Sequence, residues 1–131
     1  MTSEAAVGSL RVLIVEDEPL IRWAVAETLT EAGHKVLEAS DAATTLRLLN
    51  TSESIDVVLL DFRLPDCDDL SLVERIRQQT PSSAVVMMTA FGTPQMTDDA
   101  KRLGVYEIIA KPFDVEAVAG LLAEAHRSKT S

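Results

Sequence analysis

Five short apolar runs in this sequence end in polar residues whose types could do chemistry together. Glu16, Asp17 and Glu18 follow the first run, Asp61 the third, Thr89 the fourth and Lys111 the fifth. The second run ends in Ser40 and Asp41, which read as a helix cap. In an open α/β sheet, ligands bind beyond the carboxyl ends of the strands, near the point where strand order reverses. Those carboxylates, one hydroxyl and one ammonium would then share a rim. Carboxylates crowded at about 4 Å repel by on the order of 4 kcal/mol at an effective dielectric of about 20. Without compensation one of them takes a proton. A hard divalent cation is the natural compensation, and Mg2+ held by one or two carboxylates keeps positions open for phosphate oxygens. An Asp carboxylate can attack a phosphoryl group to give an aspartyl phosphate. A hydroxyl and an ammonium could then bind the oxygens of the transferred group, since that chemistry depends on positioning and charge neutralisation.

The elements that must position these residues alternate along the chain. Apolar runs rich in β-branched residues occur at Leu10–Val15, Val36–Ala39, Ile55–Leu60, Ala84–Met88 and Val105–Ile109. Val12–Val15, Val57–Leu60 and Val85–Met88 are apolar throughout, as expected of strands covered on both faces. Val36–Ala39, broken by Glu38, reads as an edge strand. Amphipathic stretches fill the gaps. Pro19 opens the first helix and Gly33 closes it, with Ile21, Val25 and Leu29 on one face. Asp41 caps the second, and the third runs near Asp69–Gln78 with Leu72, Val73 and Ile76 inward. Thr93 and Pro94 start the fourth, which Gly104 ends, and Asp114 caps the fifth. Five βα units imply a parallel sheet with helices on both faces.

Composition sets the outer limits. The 131 residues fit one domain, and 47% hydrophobic with 25% charged residues is the balance of an ordinary globule. The formal net charge of -9, from 12 Lys+Arg against 21 Asp+Glu, repels phosphate backbones, so direct nucleic-acid binding is not expected. Cys67 stands alone, which removes an internal disulfide and a Cys-based zinc site. The first nine residues lack the basic and apolar regions of a signal peptide. Gln78–Thr97 is uncharged but is interrupted by Pro81, Gly92 and Pro94, so no membrane span is expected. The expected division is a flexible N-terminus over 1–9, a domain over 10–127 and a flexible C-terminus over 128–131, in the cytoplasm.

Four segments carry a resemblance to a known family: Val12–Pro19, Val57–Asp66, Met88–Gly92 and Ile109–Phe113. In order, and at strand-plus-helix spacing, they resemble the response-regulator receiver domain of bacterial two-component signalling, from about Arg11 to His126. The resemblance implies a flavodoxin-like, doubly wound (βα)5 fold with strand order 2-1-3-4-5. It implies that Asp61 is the phosphoacceptor, that Glu16 and Asp17 hold Mg2+ together with Asp61 and the backbone carbonyl of Arg63, and that Asp17 is the more direct ligand of the acidic pair. Thr89 matches the switch hydroxyl and Lys111 the lysine that pairs with it. The Lys111–Pro112 bond is expected to be cis, a form that only an X-Pro bond adopts cheaply. Arg63 and Phe91 match the places that tune phosphoryl hydrolysis.

Two places depart from the pattern. Where the family usually has an aromatic switch residue this chain has Ile108, with Tyr106 two residues earlier and, by strand alternation, on the same face. Asp69 stands where the family often has Gly. Other residues read more plainly. Glu18 belongs to the helix start. Asp66–Asp69 fails as a calcium loop, because the twelfth place from Asp66 is Arg77. His34 and His126 read as structural, and Trp23, beside the core stripe of its helix, as partly buried.

The expected role is therefore a signalling module and not an enzyme. A histidine kinase or histidine phosphotransfer protein would supply the phosphoryl group. The face made by the fourth helix, fifth strand and fifth helix would change its preference for an output domain or effector protein, or for a second copy in a homodimer. An Asp-nucleophile phosphatase would need a second Asp two residues after Asp61, where this chain has Arg63. A receiver-like module working without phosphate would not need Glu16, Asp17, Asp61, Thr89 and Lys111. The segments Phe91–Pro94 and Lys111–Phe113 most resemble receivers attached to sigma-54-dependent transcription activators.

Overall fold

A computed structural model describes residues 9–51 and 54–130. Five parallel strands, β1 (Arg11–Val15), β2 (Lys35–Ala39), β3 (Val57–Asp61), β4 (Ala84–Thr89) and β5 (Glu107–Ala110), form one sheet in the order β2-β1-β3-β4-β5. The helices between and after them are α1 (Pro19–Glu31), α2 (Ala42–Thr51), α3 (Ser71–Gln79), α4 (Pro94–Arg102) and α5 (Val115–Thr130). The architecture is the flavodoxin-like α/β fold expected from the resemblance. β3 and β4 are buried along their whole length, while β2, at an edge, is exposed or half-buried until its last residue, Ala39.

Strand residues point alternately to the two faces, and the core divides accordingly. Val12, Ile14, Val57, Leu59, Val86 and Met88 pack with Val25 and Leu29 of α1 and with Val118 and Leu122 of α5. Leu13, Val15, Val58, Leu60, Val85 and Met87 pack with Leu72, Val73 and Ile76 of α3 and with Ala100 of α4. Helix ends follow the sequence signals. Thr93 Oγ1 accepts from Met96 N–H and Asp114 from Glu116 N–H. Gly33 and Gly104 hold φ of 98° and 104°, a left-handed backbone that favours glycine. α2 has a second cap: besides Asp41, the Asp66 carboxylate accepts from Ala42 and Ala43 N–H at 2.8 and 3.0 Å.

Some expectations need correction. β5 begins at Glu107 and not Val105, because Val105 N–H still bonds Ala100 O at the end of α4 and Tyr106 N–H reaches Val85 O. The alternation of β5 therefore does not extend to Tyr106, which packs on the α1–α5 side while Ile108 packs on the other. Trp23 is not partly buried but 61% exposed, since Val25, Ala26 and Leu29 supply the inward face of α1. α5 runs to Thr130, three residues past the expected boundary at 127. Of the terminus 1–9, only Ser9 lies within the described residues.

Candidate functional site

The register of the sheet brings the functional side chains together. Val15 pairs with Leu60, Asp61 with Met88 and Thr89 with Ala110, so β1, β3, β4 and β5 end at one level. Strand order reverses between β1 and β3, the place where such sheets bind ligands. Glu16 follows β1 and Lys111 follows β5, while Asp61 and Thr89 are the last residues of β3 and β4. Backbone bonds fix each exit: Glu16 N–H donates to Ala39 O, Phe62 N–H to Met88 O and Lys111 N–H to Thr89 O, all within 3.0 Å.

Charge is concentrated here and partly compensated. Carboxylate oxygens of Glu16, Asp17 and Asp61 lie within 4.8 Å of one another, a group able to hold a metal ion. Glu16 is fully buried, Asp61 is 6% exposed and Asp17 faces solvent. Lys111 Nζ lies 2.6 Å from Glu16 Oε1 and 3.2 Å from Asp61 Oδ2. The second Glu16 oxygen accepts Glu18 N–H at 3.0 Å, and Asp61 Oδ1 accepts Arg63 N–H at 3.3 Å. Burial raises the Glu16 carboxyl above its ordinary range, with the Asp61 charge adding to the rise and the bonds from Lys111 and Glu18 opposing it. Burial pulls the Lys111 ammonium down, but Glu16 and Asp61 outweigh it and the net direction is up.

Thr89 is 6% exposed, and its Oγ1 accepts a hydrogen bond from Phe91 N–H at 3.2 Å. The Lys111–Pro112 peptide bond is cis. Glu18 caps α1 by accepting from Leu20 N–H, consistent with a helix-start role. One contributor was not signalled by any motif. Arg22 on α1 donates from Nη1 to the Glu16 carbonyl at 2.8 Å and from Nε to Glu38 Oε1 at 3.1 Å, tying the acidic loop to β2. Beside Lys111 opens an apolar groove of about 220 Å³, lined by Leu20, Ile21, Ala24, Pro112, Phe113 and Val115. Leu20 and Trp23 stand exposed on the same helix, and Phe91 is exposed after β4.

Comparison with known proteins bears on this arrangement. The family model of the response regulator receiver domain matches residues 12–123. The chain belongs to this family. Receiver domains of response regulators are signalling domains, and the acidic group of this one lies where the family's phosphorylation site is expected. The receiver is 35% identical over 114 residues to the DNA-binding transcriptional regulator NtrC of Proteus hauseri, which covers 87% of this chain and 24% of that protein. It is 32% identical over 108 residues to the sporulation initiation phosphotransferase F of Bacillus subtilis, covering 82% of this chain and 86% of that one. The receiver thus spans about a quarter of NtrC and most of the second relative.

Among solved structures, NtrX from Brucella abortus, crystallised with ADP, superposes with a TM-score of 0.82 at 32% identity, over 93% of this chain and 27% of that one. A CheY-like receiver domain protein from Methanospirillum hungatei gives 0.86 at 22% identity, over 92% of this chain and 96% of that one, a likeness of fold alone. Among the described residues, no helix is long and apolar enough to cross a membrane.

Proposed function

We propose that this receiver accepts a phosphoryl group on Asp61, and the observation that carries the proposal is the Glu16–Asp17–Asp61 group bridged by Lys111. An Asp61 carboxylate oxygen attacks the phosphorus of a phosphohistidine. The new O–P bond forms as the N–P bond breaks, and the imidazole leaves with the bonding pair and takes a proton. The donor set fits Mg2+: hard carboxylate oxygens of Glu16, Asp17 and Asp61 lie together, and the backbone carbonyl of Arg63, two residues after Asp61 in the sequence, is assigned as a further ligand. When bound, the cation supplies neutralisation of charge on the phosphoryl oxygens. Lys111 already reaches an Asp61 oxygen and is within range of a group attached there. Thr89 ends the neighbouring strand with a hydroxyl that can turn from Phe91 N–H to a phosphoryl oxygen.

The donor in this reading is a histidine kinase or histidine phosphotransfer protein in the cytoplasm. The groove beside Lys111, with exposed Leu20 and Trp23, flanks the approach to Asp61 and is assigned to that donor. The readout is a change in the face formed by α4, β5 and α5, which passes to an output domain, an effector or a second copy of the chain. The receiver itself contacts neither nucleic acid nor membrane, and it turns over no small phosphoester.

Asp61 in place of an enzyme's paired acids, and the presence of every polar residue the transfer needs, support this reading over a phosphatase and over a phosphate-independent module. Intact mass after incubation with Mg2+ and a small acyl phosphate tests it. A single phosphoryl adduct is expected on the wild type and none on Asp61→Asn or in chelator. An adduct of equal yield on Asp61→Asn would refute it.

A further inference from the structure

The hydroxyl of Thr89 rests on a backbone N–H, and its methyl group rests against a residue without a side chain. Oγ1 accepts from Phe91 N–H at 3.2 Å, and Thr89 is 6% exposed, so the side chain is held and not swinging in solvent. A Cβ placed on Gly92 would lie 3.1 Å from Thr89 Cγ2 and 3.5 Å from Met96 Cε. Carbon atoms attract best at about 3.5–4.0 Å, so the second contact is ordinary and the first lies inside the repulsive wall.

Backbone conformation does not require glycine at this place. Gly33 and Gly104 are the described glycines with left-handed φ, and Gly92 is not among them. What matters at 92 is therefore the missing Cβ. In threonine the hydroxyl and the methyl turn together about χ1, through three staggered wells. The hydroxyl cannot leave Phe91 N–H without the methyl leaving its seat over Gly92, and a crowded seat weakens the well in which the hydroxyl stays.

We propose that Gly92 is a positioning residue for Thr89: its missing Cβ makes room for the Thr89 methyl and thereby holds the hydroxyl on Phe91 N–H until a phosphoryl group draws it from there. The functional half of this inference rests on the role proposed above for Thr89, while the rotamer half does not. A Cβ at 92 crowds the well in which the methyl now sits, and where the loop does not give way the receiver should be partly set for its phosphoryl ligand before that ligand arrives.

The test uses the 131-residue chain as Gly92→Ala, with Gly92→Ser as a second carrier of the same Cβ, each in the native and the Thr89→Ser background. Serine lacks Cγ2, so the clash is absent there. Three-bond couplings from Thr89 Cγ2 to the backbone N and C′ report χ1 in the unphosphorylated protein. Titration with beryllofluoride and Mg2+, a phosphoryl analogue, reports the consequence. Expected are averaged couplings in Gly92→Ala and beryllofluoride binding tighter by about three- to tenfold, the range of a rotamer-scale preference. In the Thr89→Ser background, Gly92→Ala should leave that affinity unchanged. Couplings that stay at the wild-type values would overturn the proposal, because the loop would then have absorbed the Cβ. So would an equal gain in the Thr89→Ser background. Shifted couplings without any gain in affinity would uphold the positioning by Gly92 and overturn instead the assignment of Thr89 to the phosphoryl group.

Discussion

Replacing Lys111 by Met removes the ammonium that bridges Glu16 and Asp61 while keeping most of its apolar stem. In the metal-free protein the fully buried Glu16 then loses its partner at 2.6 Å, and Asp61 its partner at 3.2 Å. The protein has two ways to respond. It can keep the Glu16 charge unpaired, which in buried pairs costs about 3–5 kcal/mol. Or it can protonate Glu16, and from an ordinary value of 4.5 to pH 7 that costs about 3.4 kcal/mol, at roughly 1.36 kcal/mol per unit. The smaller cost applies, and because burial already raises Glu16 with Lys111 in place, part of it is present in the wild type and the loss should be at most about 3 kcal/mol. Unfolding entropy of about 2.1 cal/mol/K per residue amounts to roughly 0.27 kcal/mol/K for 131 residues, and the loss becomes a fall in Tm of at most about 11 °C. Thermal unfolding followed by circular dichroism in chelator at pH 7 measures it. Adding Glu16→Gln to Lys111→Met should recover more than half of the fall, because the uncompensated charge is then gone. A fall under about 3 °C, or an undiminished fall in the Glu16→Gln background, would refute the account of Lys111 as the counter-charge of a buried carboxylate.

Other substitutions test separate parts of the structure. Trp23→Ala should slow phosphoryl transfer from the cognate histidine donor by about five- to thirtyfold, on the scale of a lost interface aromatic at about 1–2 kcal/mol. It should leave the reaction with a small acyl phosphate unchanged, and rapid-quench comparison of the two donors checks this. His34 Nδ1 accepts Leu10 N–H at 3.0 Å, and burial holds its imidazole below the ordinary 6.5. The unfolded chain therefore takes up a proton as pH falls through 6.5 while the folded one resists, and stability must decline with falling pH below that value. Urea unfolding from pH 7.5 down to 5.5 should show this decline in the wild type and a smaller one in His34→Gln. Asp66→Ala should cost about 1 kcal/mol by uncapping α2, with Asp66→Asn near the wild type, as read from urea midpoints at constant slope.

Much of this architecture was legible because it depends on periodicity and on end signals. The unbroken apolar runs of β1, β3 and β4, short and rich in β-branched residues, are the pattern expected of strands covered on both faces, and Pro19, Thr93 and Gly104 mark helix ends through backbone geometry that sequence states directly. What was not legible depends on where an element's repeat starts. Tyr106 fits the alternation of Ile108 if the strand includes it, but the end of α4 claims Val105 and the strand starts later. Trp23 shows a second gap, since an aromatic one place off the core stripe can lie over its neighbours or stand in solvent. Nothing local decides between the two, because Val25, Ala26 and Leu29 already fill the inward face.

The site itself divides in the same way. Strand ends told where Glu16, Asp61, Thr89 and Lys111 would collect, but not which of them would touch. The contact between Lys111 and Glu16 joins residues 95 apart in the chain and requires β1 and β5 to finish level across the intervening β3 and β4. Glu16 has a longer side chain than Asp17, and that length lets it turn inward to the ammonium while Asp17 faces the opening. The two acidic neighbours therefore act differently. Glu16 is paired within the protein, and Asp17 stands exposed at the opening. The same logic explains Arg22, whose guanidinium reaches a backbone carbonyl and a β2 carboxylate at once, a pairing no spacing rule encodes. Removing it by Arg22→Gln separates two effects of opposite sign. Loss of a nearby positive charge should tighten Mg2+ binding, and loss of the hold on the Glu16 carbonyl should weaken it. Titration of Mg2+ followed by Trp23 fluorescence at low and high salt distinguishes them, since only the charge effect is screened. The geometry here favours a weaker site at both salt concentrations, and a site tighter at low salt alone would mean that Arg22 acts on the acidic loop only through its charge.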